Sequence, residues 1–395
     1  MQPTRHLPTL LAAALAVCLS ACERTPEPAT PASAAAEPAA AQVLETEHGQ
    51  ARLGVVASGL AHPWAVAPLP DGGFLVTERG GALRRISADG TVSGPLGGVP
   101  EVAARGQGGL LDVALAPDFA SSNRIYLTYA EPGENNTSGT AAAFATLDGD
   151  QLRDLTVIYR QEPKVNAEHH YGSRLAFDGE GHVFISQGDR SLKPMAQELD
   201  KLQGKLVRLG LDGSIPQDNP FVGQDGARPE IWSYGHRNAQ GMAFDPRTGT
   251  LWASEHGPRG GDELNLPRPG LNYGWPLITH GIDYSGKPIA EALGRERDGL
   301  EQPHHVFEVS PGLSGMAFYT GHEGSPWNDS LFLGALAHRN LIRLQLDGDR
   351  VVAEERLLED LGERVRDVRA GSDGNLYILT DEAQGKLLRL EPPRG

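Results

Sequence analysis

Short apolar segments alternate with turn-forming residues along most of this chain. Six segments share one pattern, in which an apolar strand, a turn rich in Gly, Asp or Pro, and a second apolar strand follow one another. They are WAVAPLPDGGFLVTE, LDVALAPDFASSNRIYLTYA, RLAFDGEGHVFISQGD, GMAFDPRTGTLWASEHG, GMAFYTGHEGSPWNDSLFLGAL and VRDVRAGSDGNLYILTDE. Each segment is typical of a β-hairpin with a tight turn. We therefore expect six related antiparallel units.

The spacing of these hairpins indicates how the units are arranged. Their first strands recur at intervals of 47 to 74 residues, measured at Val66, Val113, Leu175, Met242, Met316 and Val368. Weaker strands such as ALRRIS, KLVRLGL, NLIRLQL and KLLRLEP follow several of them. An apolar period of 3.6 residues is not sustained over any long stretch, so we expect few helices. The sequence predicts an all-β, six-bladed β-propeller with four-stranded blades, and a pair of β-sandwiches is the alternative.

The composition agrees with a large β domain and excludes several classes of protein. The chain has 395 residues, of which 39% are hydrophobic, 49 are Gly and 29 are Pro. This composition excludes collagen, coiled coils and polytopic membrane proteins. The formal net charge of −16 repels phosphate backbones, so we expect no nucleic-acid partner.

The first 42 residues differ in character from the rest. Arg5 precedes the apolar run LPTLLAAALAVCL, which is too short to span a bilayer. The run ends in LSAC, which is similar to a bacterial lipoprotein signal with Cys22 as the acylated residue; an ordinary signal peptide is the alternative. We expect a lipoprotein-type signal peptide over residues 1–21, an Ala/Pro-rich tether over 22–42, and a single catalytic propeller domain over 43–395. The protein would then lie on the periplasmic face of a bacterial membrane, held only by the lipid on Cys22, or be soluble in the periplasm without it.

Unusual polar residues occupy equivalent positions in the repeat. In a propeller, the start of each first strand and the loop after each second strand lie at the same end of the central channel, where binding residues gather. The residues at these two positions are Gln107, His170, Gly188, Asp189, His236, Arg237, Asn238, Glu255, His256, Gly257, Pro258, Arg364 and Arg366. We expect them to meet around one opening.

Three arginines of this set indicate an anionic ligand. Arg237, Arg364 and Arg366 would repel one another around a single channel unless an anion lay between them. Because Arg binds carboxylates in bidentate fashion, the pattern favours a polycarboxylate or a phosphate. The alternative is that each arginine pairs with an acidic residue of a blade, such as Asp367.

The segment EHGPRGGDELN has the composition of a calcium loop. It combines the backbone carbonyls of Gly257 and Pro258 with the carboxylates of Asp262 and Glu263. Calcium accepts six to eight oxygen ligands, including backbone carbonyls. Asp and Gly are also ordinary turn formers, so a simple turn is an equal alternative.

His170 is a candidate general base. It lies in HHYGSRL, and a neutral imidazole accepts a proton near physiological pH. Asp189, in QGDR, is suited to orient this ring and to stabilise the imidazolium. A structural histidine is the alternative. The sequence has no Walker loop, G-x-S-x-G elbow or H-E-x-x-H motif, which weakens nucleotide-binding, serine-hydrolase and zinc-protease functions.

Nine motifs carry a resemblance to a known family. They occur in the order GQGGLLDVALAPDF, HHYGSRLAFD, KLQGKLVRL, DGSIPQDNPF, IWSYGHRNAQGMAF, EHGPRGGDELN, NYGWP, SGMAFY and ERVRDV. In these motifs, over about residues 50–393, the chain resembles the soluble PQQ-dependent sugar dehydrogenases, and most of all their aldose sugar dehydrogenase branch. The family fold is a six-bladed propeller. Its cofactor, pyrroloquinoline quinone (PQQ), is a planar ortho-quinone with three carboxylates.

The resemblance implies roles for the residues already singled out. His170 would take the proton of the sugar C1 hydroxyl while hydride moves to PQQ, with Asp189 supporting the histidine and Gln107 beside the reactive carbonyl. The cofactor-binding set would be Gln107, Arg237, Asn238, Arg364 and Arg366. Ala337, in LAHRN, stands where some members carry a lysine, so either His338 or Arg339 would compensate or one cofactor contact would be lost.

The resemblance also implies two calcium ions. One would bind PQQ together with the carbonyls of Gly257 and Pro258, and would polarise the quinone carbonyl as a Lewis acid. The other would be structural, held by Glu263, Asp283 and backbone oxygens near Tyr273. The region from Ile282 to Glu308 has no clear counterpart, and its loops would shape the choice of sugar.

The implied function is oxidation of aldose sugars to lactones. Electrons would pass to an external acceptor, because the chain has no C-x-x-C-H haem motif. Two alternatives remain, a calcium-dependent propeller lactonase and a propeller that only binds partners.

Overall fold

The computed structural model describes residues 41–394, and nearly all of its secondary structure is β-strand. The predicted leader, the acylation site at Cys22 and most of the predicted tether lie outside these residues and stay predictions. Six antiparallel sheets form the blades of a β-propeller, so the predicted all-β, six-bladed fold is confirmed and a pair of sandwiches is excluded. The first strand begins at Gln42, one residue before the expected start of the domain.

The strands follow one another blade by blade. Two strands precede blade 1, and these are β1 (Gln42–Thr46) and β2 (Gly49–Leu60). Blade 1 contains β3 (Pro63–Pro68), β4 (Phe74–Glu78) and β5 (Ala82–Ile86). Blade 2 contains β6 (Leu110–Leu115), β7 (Arg124–Pro132), β8 (Ser138–Asp148) and β9 (Gln151–Arg160). Blade 3 contains β10 (Gly172–Phe177), β11 (His182–Gln187), β12 (Lys205–Gly210) and β13 (Ile231–Tyr234).

The second half continues in the same way. Blade 4 contains β14 (Ala239–Phe244), β15 (Leu251–Glu255), β16 (Asp262–Asn265) and β17 (His305–Phe307). Blade 5 contains β18 (Leu313–Tyr319), β19 (Ser330–Ala335), β20 (Asn340–Asp347) and β21 (Arg350–Leu357). Blade 6 contains β22 (Val365–Ala370), β23 (Leu376–Thr380) and β24 (Gly385–Glu391), and β2 and β1 extend it.

Two blades depart from four strands for identifiable reasons. Blade 1 has three strands, and an isolated bridge between Ile86 and Val92 takes the place of a fourth. Blade 6 has five, because β2 pairs antiparallel with β24, with Leu53 opposite Leu390, and β1 pairs with β2. The first and last segments of the domain therefore share one sheet, and this pairing closes the ring of blades.

Helices are short, as the sequence predicts. The described residues contain one single-turn helix, α1 (Phe119–Ser122), and three 3₁₀ turns, at Glu134–Asn136, Lys193–Gln197 and Glu359–Leu361. Between residues 41 and 394, none of these helices has the length and apolar character needed to cross a membrane.

Apolar cores lie between neighbouring blades. One of them joins Trp252 and Leu264 of blade 4 to Met316 and Leu331 of blade 5, all of them almost fully buried. Because each blade is covered on both faces, all seven residues of β18 are buried. This packing holds the blades in fixed positions around the axis.

The first strands line the axis of the propeller. Each of them, β3, β6, β10, β14, β18 and β22, contacts the first strands of the two neighbouring blades. Two ion pairs run from Arg174 of β10, with Nη1 2.9 Å from an Asp112 oxygen of β6 and 3.2 Å from an Asp367 oxygen of β22. Arg369 of β22 contacts the same two carboxylates, and the Arg174 guanidinium lies 4.4 Å from the ring of Trp64 in β3. This axial ion cluster ties four blades together.

Candidate active site

A cavity of about 710 Å³ lies at the end of the axis where the first strands begin. Its walls include six of the residues predicted to gather there, which are Gln107, His256, Gly257, Pro258, Arg364 and Arg366. They also include residues that sequence reasoning did not single out, among them Trp64, Arg79, Gln240 and Asp381. The position rule derived from the repeat therefore brings residues of separate blades to one opening.

His170 and Asp189 lie together beside this opening, joined to its wall through Gln107, although neither of the two lines the cavity itself. His170 precedes β10 and Asp189 follows β11, and the hairpin pairing of these strands places His170 Nδ1 2.6 Å from Asp189 Oδ1. The backbone N–H of Ser191 donates to the same oxygen at 2.7 Å, and the indole Nε1 of Trp275 donates to Oδ2 at 2.8 Å. The His170 backbone N–H donates to Gln107 Oε1 at 2.8 Å, which ties this loop to blade 2.

The protonation states of this pair follow from its surroundings. Burial lowers the pKa of His170 below its ordinary value, the Asp189 hydrogen bond opposes this, and the charge of Arg237 adds to the lowering. Burial opposes ionisation of Asp189, but the hydrogen bond with His170 and the Arg237 charge hold its pKa below the usual range. An ionised Asp189 keeps the imidazole proton on Nδ1, so Nε2 is the basic nitrogen of a neutral ring. The His170 side chain as a whole is 14% exposed.

Gly188 permits the close packing of the His170 loop. A Cβ added at Gly188 would lie 1.9 Å from the carbonyl oxygen of His170, a distance that no side chain can adopt. The obstacle is a backbone atom, which cannot rotate away as a flexible side chain can. Glycine at this position is therefore required by the close approach of the segments that carry His170 and Asp189.

Two arginines of the predicted set share one carboxylate. Arg366 donates from Nη2 to Asp381 Oδ2 at 2.6 Å and from Nη1 to Gln240 Oε1 at 2.9 Å, while Arg364 Nη2 lies 3.6 Å from the same Asp381 oxygen. Burial opposes ionisation of Asp381, but Arg366 lowers its pKa to about 2. Arg364 and Arg366 therefore do lie next to an acidic residue of a blade, as the alternative expected, but this residue is Asp381 and not Asp367. One carboxylate faces two guanidiniums, so positive charge remains in the cavity wall.

Arg237 lies on the opposite side of a shared wall. It lines a second, small cavity of about 10 Å³, and both cavities have His256, Gly257 and Pro258 in their walls. Its Nη1 donates to the His256 carbonyl at 3.1 Å, and its guanidinium lies 5.4 Å from the Trp275 ring. Its Nε is buried and has no hydrogen-bond partner among residues 41–394.

The small cavity also contains most of the predicted metal ligands. Gly257, Pro258, Glu263 and Tyr273 all line it, whereas Asp283 does not. The Asp283 carboxylate accepts the Ser285 backbone N–H at 2.8 Å within a turn. In the part of the chain that the structure describes, no three His, Cys, Asp or Glu side chains are grouped so as to hold a metal. A metal here would depend on backbone oxygens as well as on carboxylates.

Two buried carboxyl groups, of Glu255 and Glu263, line the same small cavity. Burial and the neighbouring charge of Glu255 raise the pKa of Glu263 well above its ordinary value. Asn265 Nδ2 donates to Glu255 Oε1 at 2.8 Å and lies 3.4 Å from Glu263 Oε2. The Asn265 Oδ1 atom is buried and has no partner in the described chain. A cation beside these oxygens would lower the cost of burying them.

The remaining predicted residues support the walls. His236 is buried, with Nδ1 3.0 Å from Glu255 Oε1 and Nε2 2.8 Å from Ser233 Oγ. Asn238 accepts the Gly172 backbone N–H at 3.0 Å through Oδ1, while its buried Nδ2 has no partner within residues 41–394. These residues fix the segments that carry His170 and Arg237.

The LAHRN segment lines the cavity with its first two residues, Leu336 and Ala337. Ala337 lines the wall, but His338 Nδ1 contacts Arg356 Nη1 at 2.7 Å and Arg339 donates to the Gly362 carbonyl at 2.7 Å. Neither His338 nor Arg339 lines the cavity, so the expected compensation by one of them is not seen. Sequence reasoning missed two arginines of the cavity wall, Arg79 and Arg259. Arg79 directly follows β4 and satisfies the position rule.

Comparison with known proteins places the chain among sugar dehydrogenases. A family model described as Glucose / Sorbosone dehydrogenase matches residues 60–389. Aldose sugar dehydrogenase YliI of Escherichia coli K12 is 53% identical over 341 residues, which cover 86% of this chain and 92% of that protein. A crystal structure of the soluble E. coli aldose sugar dehydrogenase in its apo-form aligns with a TM-score of 0.85 at 51% identity, covering 87% of this chain and 100% of that one. The PQQ-bound form of an aldose sugar dehydrogenase from Streptomyces coelicolor aligns with a TM-score of 0.71 at 30% identity, covering 86% and 98%.

Proposed function

Because this chain belongs to the glucose and sorbosone dehydrogenase family and is a PQQ-dependent sugar oxidoreductase, we propose that it oxidises the C1 hydroxyl of aldoses to lactones, with His170 as the general base. The observation that carries this proposal is the pairing of His170 with Asp189 beside an arginine-lined cavity. Calcium is proposed as the second cofactor, and the electrons pass to an external acceptor.

The charge and the unpartnered donors of the site residues fit PQQ. The Nε atoms of Arg237 and Arg366 and Nδ2 of Asn238 are buried donors without partners in the described residues. A planar ligand with three carboxylates would give such donors acceptors. Arg237, Asn238, Arg364 and Arg366 would hold the quinone, with Gln107 at its edge.

The small cavity fits a cation next to the proposed quinone site. Gly257 and Pro258 lie in the wall between the two cavities, so an ion held by their carbonyls would be close to both. The oxygens of Glu263 and Asn265 and the backbone near Tyr273 are the hard ligands that calcium prefers. Asp283 contributes to this site only if its turn moves, and its assignment stays a prediction.

The chain's own residues would carry out the proton chemistry. When bound, PQQ supplies a two-electron acceptor that calcium makes more electrophilic. His170 Nε2 takes the proton of the C1 hydroxyl, and Asp189 stabilises the imidazolium that forms. Loss of this proton and of hydride from C1 leaves the C1 carbonyl of the lactone. Ile282, Tyr284 and Val309 lie at the cavity wall and would contact parts of the sugar beyond its reducing end.

Reconstitution tests the function against its alternatives. Apoprotein is given glucose and a redox dye, with calcium and PQQ added singly and together. We expect dye reduction only when both are present, because calcium and PQQ share one wall of the site. Hydrolysis of a lactone without PQQ would favour the calcium-dependent lactonase. Stoichiometric PQQ binding without turnover would favour a propeller that only binds.

A second prediction concerns Gly188. Gly188→Ala is expected to lower turnover roughly 100-fold, because displacing His170 by about 1 Å disturbs its alignment with the sugar. Gly54→Ala is the matched control, since a Cβ at Gly54 has no atom within 4 Å. Initial rates and thermal unfolding are measured for both. A Gly188→Ala enzyme as fast as the control would contradict the steric argument.

A further inference from the structure

Trp275 connects the proton-transfer pair to the arginine side of the site. We propose that Trp275 is a positioning residue that holds Asp189 and thereby controls the proton affinity of His170. This inference rests on the proposed function, although one of its tests does not. The tryptophan lies in the long segment between β16 and β17 and is 6% exposed.

The Trp275 indole donates the hydrogen bond to one of the two carboxylate oxygens of Asp189. Oδ1 accepts from Ser191 N and contacts His170 Nδ1, whereas Oδ2 has the Trp275 Nε1–H at 2.8 Å as its only donor within residues 41–394. The Asp189 carboxylate is fully buried. A buried carboxylate oxygen that lacks a donor raises the free energy of the ionised carboxylate. This single hydrogen bond therefore has a large effect on whether Asp189 stays ionised beside His170.

The backbone of Trp275 is fixed by hydrogen bonds to the surrounding loops. The Trp275 backbone N–H donates to the Gly235 carbonyl at 2.9 Å, and its carbonyl accepts Gln197 Nε2 at 2.7 Å. Gln197 belongs to the 3₁₀ turn Lys193–Gln197, and the buried Lys205 ammonium donates to the Met195 and Ala196 carbonyls at 2.8 and 3.1 Å. These contacts therefore fix the backbone position from which the Trp275 indole N–H reaches Asp189.

The same ring also lies next to a proposed cofactor ligand. The Arg237 guanidinium is 5.4 Å from the centre of the Trp275 ring, within the range of a cation–π contact. One side chain thus spaces the general base from the arginine that would bind the quinone. The charged and titratable groups facing His170 are Asp189, Arg237 and His169.

Removal of the indole N–H should make His170 more basic. Without this donor, the Asp189 charge is less stabilised and attracts the Nδ1 proton more strongly, so the His170 pKa rises. In Trp275→Phe, we expect the acid limb of the turnover profile to move up by about one pH unit. We expect kcat to fall at acidic pH, KM to change little, and PQQ binding to stay within about two-fold.

The control is Trp232→Phe, which makes the same change where the indole N–H donates to the Pro267 carbonyl. The pKa of His170 is also measured by NMR in apoprotein, with His170→Ala used to assign the resonance. A raised His170 pKa in Trp275→Phe but not in the control supports the proposal. A loss of activity that is equal at all pH values, with an unchanged His170 pKa, overturns it.

Two further arms keep the test decisive. If Trp275→Phe does not fold, Gln197→Ala loosens the Trp275 backbone and is expected to move the acid limb in the same direction by less. An unmoved limb in a folded Gln197→Ala enzyme overturns the proposal. If the unchanged protein shows no turnover with PQQ, calcium and sugar, the proposed function fails, but the NMR comparison in apoprotein still decides the role of Trp275.

Discussion

Replacement of His170 with alanine is expected to lower sugar turnover by roughly 10²- to 10⁴-fold, the usual contribution of a general base. The ring has its Nδ1 atom 2.6 Å from Asp189 Oδ1, and its lowered pKa keeps it neutral when it meets the sugar. Alanine removes the proton acceptor but keeps the arginines, so PQQ should still bind. Stopped-flow reduction of the bound quinone by glucose, together with PQQ titration, measures both quantities.

His169→Ala is the matched control for this variant. His169 is adjacent in the chain, but its side chain is exposed and makes no hydrogen bond among residues 41–394, while its carbonyl accepts from Arg190 Nε. We expect it to react at nearly the unchanged rate. If both variants reacted equally fast, His170 would not be the base and the proposed mechanism would fail.

If His170 is the base, the unsubstituted enzyme should also show a defined dependence of rate on pH. Because the His170 pKa is lowered, the neutral base persists below the ordinary titration range of histidine. The rate should therefore fall only when the pH drops through that lowered value.

The second large effect is expected for Arg366→Ala, in the affinity for PQQ. The substitution removes a cavity cation and leaves the ionised Asp381 carboxylate facing an anionic ligand, with Arg364 still 3.6 Å away. Breaking one partner of a buried ion pair has large effects, so we expect PQQ affinity to fall by at least about 100-fold. Equilibrium titration of apoprotein with PQQ in calcium buffer measures the loss.

A double variant separates the loss of the Arg366 cation from the repulsion between Asp381 and the anionic ligand. In Arg366→Ala combined with Asp381→Asn, the repulsive carboxylate is gone, so part of the lost affinity should return. Arg153→Ala serves as the surface control, since Arg153 pairs with Asp148 in an exposed contact. An Arg366→Ala protein that binds PQQ as tightly as the control would contradict the anion-site assignment.

The fold could be predicted from the sequence because its units are local. Each hairpin is encoded within one short segment, and the inner strands around Val66, Leu175 and Val368 were placed correctly by the repeat. The closure of the ring was not predicted, because β2 and β24 pair across more than 300 residues and no local pattern records this. The missing fourth strand of blade 1 likewise depends on the loop after Ile86.

In the candidate site, too, residues at positions defined by the repeat could be predicted, and residues placed by tertiary packing could not. His170, Asp189 and Arg366 occupy positions that the repeat defines, so their gathering could be predicted. Asp381 and Arg79 follow second strands as Asp189 does, and the same rule applied throughout would have found them. Trp275 lies in a long irregular segment, where position depends on tertiary packing.

The axial ion cluster has a consequence for how substrate and product enter and leave the cavity. Arg174, Asp112 and Asp367 are almost completely buried, and their ion pairs join the first strands of three blades. Two positive and two negative side chains also leave the cluster electrically neutral, so it does not cancel the charge of the arginines above it. We expect this buried cluster to block passage along the axis, so that under the proposed function the lactone product leaves by the same mouth through which the sugar enters.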